Sequence, residues 1–380
     1  MPERVRTLLS DPATPSPCLV IDLPSVGDAY AELRAALPTT AIYYAVKANP
    51  HPAVLALLAA TDAGFDVASP GEIARCLELG VAPERLIYSN TLKKPADIAF
   101  AHRAGVSLYG VDSQQELDKL ATHAPGARAF VRIATSGAGA DWPLSRKFGC
   151  TPDEAIGLLR QCRSLGLVAE GVAFHVGSQQ RDPGAFETAI ADAATVFDAL
   201  AAEGIALHML NIGGGFPARY GEAVPPSVAY GRVIEHALAR YFGARRNNLA
   251  VIAEIGRGLI GNAGWIGSQV ILAAERDHAD GGRRQWIYCD VGVFNGLAEA
   301  LGESIRYPIY SDRSGPLVPC TLAGPTCDSV DILYERRPVL LPSTLEPGDQ
   351  LIFASAGAYT YSYSAIEFNG LAPLAVRCTN

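Results

Sequence analysis

No apolar run in the 380-residue chain approaches the 18 or more residues that a membrane span needs, so no membrane partner is expected. The opening MPERVRTLLSDPATPSP has no apolar h-region, so no secretory signal is read and the expected compartment is the cytoplasm. A basic excess is also missing: 31 Lys and Arg face 39 Asp and Glu, a formal charge of −8, which disfavours a general nucleic-acid binder. Eight cysteines are scattered without a CxxC pair, so neither a disulfide framework nor a zinc ribbon is expected, and no metal site. There is no internal repeat shorter than a strand–helix unit. What remains is a chain 49% hydrophobic and only 18% charged, too apolar to be disordered and long enough for a large core.

The first two-thirds alternate short apolar runs with amphipathic stretches. The runs are AIYYAV (from Ala41), FDVAS (Phe65), LIYSN (Leu86), SLYGV (Ser107), ARAFVRI (Ala127), GVAFHV (Gly171), LHMLNI (Leu207) and LAVIAE (Leu249). Segments such as SPGEIARCLELG and DPGAFETAIADAATVFDALAAEG follow them. Regular alternation means parallel strands joined by right-handed crossovers. About eight units in about 220 residues fit a closed (β/α)8 TIM-like barrel, with a doubly wound sheet as the competing architecture. After about Trp265 the helical patterns nearly vanish. The runs SQVILAA, RQWIYCD, PVLL and DQLIFASAGAY predict a second, mainly antiparallel β domain, which the early strand CLVIDL at Cys18 could join. The expected domains are an α/β barrel over 25–262 and a β domain over 1–24 and 263–380.

Residues at the C-terminal strand ends build the active site of such a barrel. Here they are Lys47, Asp66, Asn90, Arg132, His175 with Ser178, Gly213 to Gly215, and Glu254 followed by Gly256 and Arg257. Each admits a plain structural reading. Lys47 could be a solvated lysine, or an amine kept neutral in an apolar mouth for a Schiff base. His175 could be a hydrogen-bonded core histidine, or a flat ring stacked on a planar cofactor. Arg132 could simply pair with Asp66. Glu254 could pair with Arg257, or hold a proton on a ring nitrogen. Consecutive glycines could be a tight turn, but they also leave backbone N–H groups open to a phosphate. Gly256–Gly261 formally matches GxGxxG, yet it closes the α/β section instead of opening it, which argues against a dinucleotide site. Later, Gly324-Pro-Thr-Cys327-Asp328-Ser329 sets a thiol beside a carboxylate, and Tyr359 lies in a tyrosine-rich AGAYTYSY.

Together the blocks YYAVKANP, FDVAS, ADWPLSRKFGC, FHVGSQ, NIGGGFP, AEIGRG, AGPTCDS, GAYT and EFNG resemble the ornithine decarboxylase family. These are the fold-type-III, pyridoxal-phosphate-dependent amino acid decarboxylases, and the wording is most similar to their bacterial branch. The blocks run in family order from about Ala41 to Gly370. The resemblance implies an α/β barrel plus a β domain, and it implies pyridoxal 5'-phosphate as cofactor. It assigns Lys47 as the Schiff-base lysine, His175 as the residue stacked on the pyridine ring, and Glu254 as the partner of the ring nitrogen. Ser178, Gly214, Gly215, Gly256, Arg257 and Tyr359 resemble the phosphate-binding set. Asp66 and Arg132 resemble residues around the cofactor. Cys327 resembles the proton donor to the product, and Asp328 the residue that binds the substrate's distal amine. In the family these two enter from the partner subunit, which implies a homodimer with shared active sites. Lys147 and Asp331 resemble an ion pair across that interface.

Two features depart from the family. Ile255 replaces the usual proline after the glutamate. The segment that supplies an extra acidic group to the substrate reads FNGLAEALGESIRYP, where both Glu299 and Glu303 are candidates. A carboxylate at Glu254 keeps a ring nitrogen protonated, which favours decarboxylation over racemisation. The expected reaction is therefore decarboxylation of a small basic amino acid, ornithine to putrescine first and lysine to cadaverine second. Diaminopimelate or arginine decarboxylation, an inactive regulatory homologue and a Cys–His hydrolase are the remaining readings.

Overall fold

The computed structural model describes residues 1–277 and 282–380. Two compact units are present: Gly27–Pro217 with Val224–Leu259, and Met1–Val26 with Ala218–Ala223 and Ile260–Asn380.

Eight parallel strands close into a barrel in the first of these, so the (β/α)8 architecture holds. In chain order they are Thr40–Ala45, Gly64–Val67, Leu86–Tyr88, Leu108–Val111, Arg128–Arg132, Val168–Ala173, Met209–Asn211 and Ala250–Ile255. Each lies within one of the apolar runs or overlaps it. The reason is burial on both faces: all four residues of Gly64–Val67 and of Leu108–Val111 are buried, so these strands read as unbroken apolar runs. Ile87, Leu108, Phe130, Ala173, Met209 and Ile252 fill the interior, with Tyr43 packed against them. Truncating Phe130 to Ala there would cost about 3–5 kcal/mol. The crossover helices start where capping chemistry dictates. The Ser69 side chain accepts from the Glu72 N–H to begin Pro70–Glu78, and Thr151 with Glu154 forms a reciprocal capping box ahead of Pro152–Gln161. These caps fix how far each rim loop extends before its helix begins.

A short two-stranded antiparallel sheet, Ala140–Trp142 against Ser178–Gln180, joins two of the rim loops with Trp142 opposite Ser178. No part of the sequence signalled it.

The second unit is a nine-stranded, mostly antiparallel sheet. Cys18–Asp22 pairs antiparallel with Gly264–Asp277 and parallel with Ala375–Thr379. A second parallel pairing joins Arg283–Cys289 to Leu317–Ala323, so the sheet is mixed. Val5, Leu9, Val20 and Ile352 form a core beneath it. No helix among the described residues is long and apolar enough to cross a membrane.

Candidate active site

The rim of the barrel gathers ten of the expected residues into one unit. Lys47 lies in a single 3-10 turn, Val46–Ala48, just past the first strand. Its Nζ donates to Asp66 Oδ2 at 2.6 Å, and Asp66 is buried in the next strand. Strand pairing sets Ala45 against Asp66, so the register itself delivers the amine to the carboxylate.

Glu254 is in the eighth strand, opposite Tyr43. Its Oε1 accepts hydrogen bonds from Ser89 Oγ and from Asn211 Nδ2. Among the described residues Oε2 accepts none. Burial, reinforced by the charge of Asp66, pushes this carboxyl well above the usual range, while Lys47 and the two hydrogen bonds oppose the rise. Ser89 and Asn211 went unremarked in the sequence. Ser89 lies inside the run LIYSN and Asn211 inside LHMLNI, and neither type stands out until the barrel closes.

His175 follows the sixth strand. Its Nδ1 accepts from the Gly177 N–H at 3.1 Å, which assigns the ring proton to Nε2. Burial, aided by the cations Arg132 and Lys47, lowers its pKa to about 3, so the imidazole is neutral. Arg132, the last residue of the fifth strand, lies with its guanidinium carbon 5.5 Å from the Phe148 ring centroid. Burial lowers its pKa, opposed by Glu254, Asp112 and Asp66. It is thus a cation in the field of three carboxylates.

Gly214 and Gly215 carry a second cluster. A Cβ on Gly214 would sit 2.5 Å from the Glu254 carbonyl oxygen and 3.2 Å from His175 Nε2. Gly215 has φ +112° and its Cβ would meet the Gly177 carbonyl at 2.6 Å, so only glycine fits either position. Beside them the Arg257 Nε donates to Ser178 Oγ at 3.1 Å. Gly256 immediately precedes that arginine. No group of three or more His, Cys, Asp or Glu able to hold a metal occurs among the described residues.

The arrangement is that of a known protein family. Residues 23–261 match the family model described as pyridoxal-dependent decarboxylase, pyridoxal binding domain. The chain belongs to the pyridoxal-dependent decarboxylases. It is 36% identical to the lysine/ornithine decarboxylase of Selenomonas ruminantium, across 94% of this chain and 89% of that one. Its fold superposes on the structure of SrLDC in complex with PLP and cadaverine with a TM-score of 0.89 at 34% identity, covering 100% of this chain and 93% of that one. It also superposes on the cadaverine complex of lysine/ornithine decarboxylase from Vibrio vulnificus, with a TM-score of 0.88 at 31% identity, covering 100% and 98%.

The residues of this decarboxylase fit pyridoxal phosphate. An amine next to a carboxylate suits an aldehyde, a carboxylate with one oxygen free of donors suits a protonated ring nitrogen, and a neutral imidazole suits the ring face. A glycine cradle with Ser178 and Arg257 suits a dianionic phosphate.

Most of the remaining expected residues belong to the sheet unit. Cys327 is exposed and Asp328 half-buried. Asp328 Oδ1 accepts from the Val330 N–H at 2.9 Å, while its Oδ2 accepts from no described residue. Asp331 is buried, with Oδ1 accepting from the Val293 N–H and Oδ2 from the N–H and hydroxyl of Thr326. It thereby ties the segment before Cys327 to the segment before Phe294. Lys147, in the barrel unit, has its Nζ 5.0 Å from the Phe148 ring centroid. Tyr359 has φ +55° and its ring lies 5.5 Å from that of Tyr363.

Glu299 and Glu303 are both buried. Glu303 Oε1 accepts from the Arg336 N–H at 2.6 Å, and Oε2 accepts from the Arg337 N–H and from the side chains of Arg306 and Arg337. Both of its oxygens are engaged in holding its own loop.

Proposed function

We propose that this enzyme decarboxylates a basic L-amino acid, L-ornithine to putrescine foremost and L-lysine to cadaverine second. It would do so as a cytoplasmic homodimer whose two subunits share each active site. Eight free cysteines fit a reducing compartment. The observation that carries the reading is the pair of carboxylates at the barrel mouth: Asp66 against the Lys47 amine, and Glu254 with one oxygen free of donors.

Bound here, pyridoxal phosphate supplies an electron sink for the charge left on the α-carbon when carbon dioxide departs. The chain's own residues do the rest. Lys47 is the group assigned to covalent attachment, and Asp66 Oδ2 is positioned to take a proton from its Nζ. Glu254 is the group that would pair with the ring nitrogen and keep it protonated. Ser89 and Asn211 hold its Oε1, which leaves Oε2 as the oxygen that would meet that nitrogen. His175 is neutral and so would meet a cationic ring without charge repulsion. Ser178, Arg257 and the glycine N–H groups would hold the phosphate, and the family resemblance assigns Tyr359 to the same set. Arg132 balances Asp66 and Glu254.

Cys327 is assigned to the final proton, delivered from Sγ to the α-carbon, and Asp328 Oδ2 to the distal ammonium. A donor of this kind contributes about 10²–10⁴-fold. Glu299 and Glu303 are the two acidic candidates for the far end of the substrate, and Glu303 would first have to leave the arginines that hold it. An acidic Asp328 opposes a diaminopimelate carboxylate there. Release of labelled carbon dioxide from a panel of ornithine, lysine, arginine and diaminopimelate tests the reading. Faster turnover of diaminopimelate or arginine than of the two diamines' precursors would sink it.

A further inference from the structure

The thiol assigned to proton delivery is gripped at two points by one side chain. Asn369 Nδ2 donates to Cys327 Sγ at 3.3 Å, and Asn369 Oδ1 accepts from the Cys327 N–H at 3.1 Å. The two residues are 42 positions apart in sequence, and Asn369 lies in the EFNG segment, to which no chemistry was given. A ring contact steadies that segment: Phe368 lies with its centroid 4.6 Å from Phe294. Asp331 holds the other side of the same loop through Thr326 and Val293. Cys327 is therefore an exposed thiol whose backbone and sulfur are both fixed.

We propose that Asn369 is a positioning residue for Cys327, aiming its Sγ and stabilising the thiolate left after the proton has gone to the substrate's α-carbon. When S–H breaks, its electron pair stays on sulfur and the proton forms the new C–H bond. Solvent then returns a proton to sulfur. An N–H directed at Sγ favours the thiolate over the thiol, because a hydrogen bond to a charged acceptor is about twice as strong as one to a neutral acceptor. The same N–H, paired with the backbone contact, limits rotation of the thiol. The inference rests on the proton-donor reading of Cys327.

A competing account is that asparagine is used only because it tolerates φ +55°. Asn369→Gly separates the two. Glycine fits that backbone without strain, so the variant folds, but it has no amide. Two measurements on the full-length holoenzyme decide. The first is the pH profile of iodoacetamide alkylation at Cys327, followed by peptide mass. The second is the fraction of ornithine turnovers that end in aldehyde and an inactivated enzyme instead of putrescine. In Asn369→Gly the alkylation midpoint is expected to move up by about half a pH unit, the size of a weak charge-assisted hydrogen bond. The abortive fraction is expected to rise about threefold or more, and Asn369→Ala should match it. A native alkylation profile in Asn369→Gly overturns the proposal, and so does a shifted profile with an unchanged abortive fraction. If instead Cys327→Ala leaves the product ratio unchanged, the proton-donor reading falls by itself, and the alkylation profile still reports on the clamp.

Discussion

The two units hold their reactive groups in different ways. In the barrel, reactive side chains bond to one another: Lys47 to Asp66, Glu254 to Ser89 and Asn211, Arg257 to Ser178. In the sheet unit, Asp328 bonds to its own loop and Cys327 to the one side chain of Asn369, and together they present an exposed thiol and a carboxylate oxygen that accepts from no described residue. The first pattern belongs to a preassembled cradle, in which the cost of orientation is met on folding. Under the proposed homodimer, the second would be completed by the partner subunit. That contrast is what a shared site in a homodimer predicts.

The largest test of the contrast is Lys47→Ala, which should lower turnover on the order of 10⁴-fold or more, as loss of a covalent catalytic group does. Steady-state carbon dioxide release measures it, and native-like activity would break the cradle assignment. Next, Cys327→Ala should cost about 10²-fold or more while leaving cofactor uptake intact. Visible absorption of the loaded protein checks the second half of that statement. Mixing the two inactive proteins should then restore about a quarter of wild-type activity after random subunit exchange, because half the dimers are mixed and each has one whole site. No recovery despite exchange shown by mass would remove the shared site.

A smaller effect concerns acid stability. His175 has a folded pKa of about 3, below its unfolded value, so its contribution is present above about pH 6.5 and is lost as pH falls toward 3. His175→Phe should therefore flatten the acid side of the stability curve by about 1 kcal/mol per pH unit below 6.5, read by urea unfolding of the cofactor-free protein. Glu254 acts in the opposite sense. Its raised pKa costs stability as pH rises above its unfolded value, so the two residues partly offset one another.

Much of the barrel was legible because parallel strands buried on both faces leave continuous apolar runs, as in GFDV and LYGV. The pairing of Ala140–Trp142 with Ser178–Gln180 was not, since three-residue strands are too short to carry a period. The sheet was legible as strands but not in its pairing. Cys18–Asp22 meets Ala375–Thr379 across nearly the whole chain, and no local pattern specifies that the pairing is parallel. Of the site, charged and glycine-rich rim residues announced themselves. Ser89, Asn211 and Asn369 did not, because each acts on a partner 42 or more positions away and none is unusual where it stands. Glu303 is the reverse case. An acidic residue in the right segment looked available until the folded chain brought Arg336 and Arg337 to it.

Asn211 has no freedom to turn its amide over. Its Oδ1 accepts from the Gly213 N–H at 2.9 Å, so its nitrogen must face Glu254. An isosteric Glu254→Gln would consequently have to give its oxygen to that nitrogen and swing its own NH₂ to the outer side. The exchange would remove a charge and also invert the polarity of the contact offered outward, from lone pair to hydrogen. One asparagine, locked by a glycine two residues on, thus makes the most conservative replacement at this position a reversal.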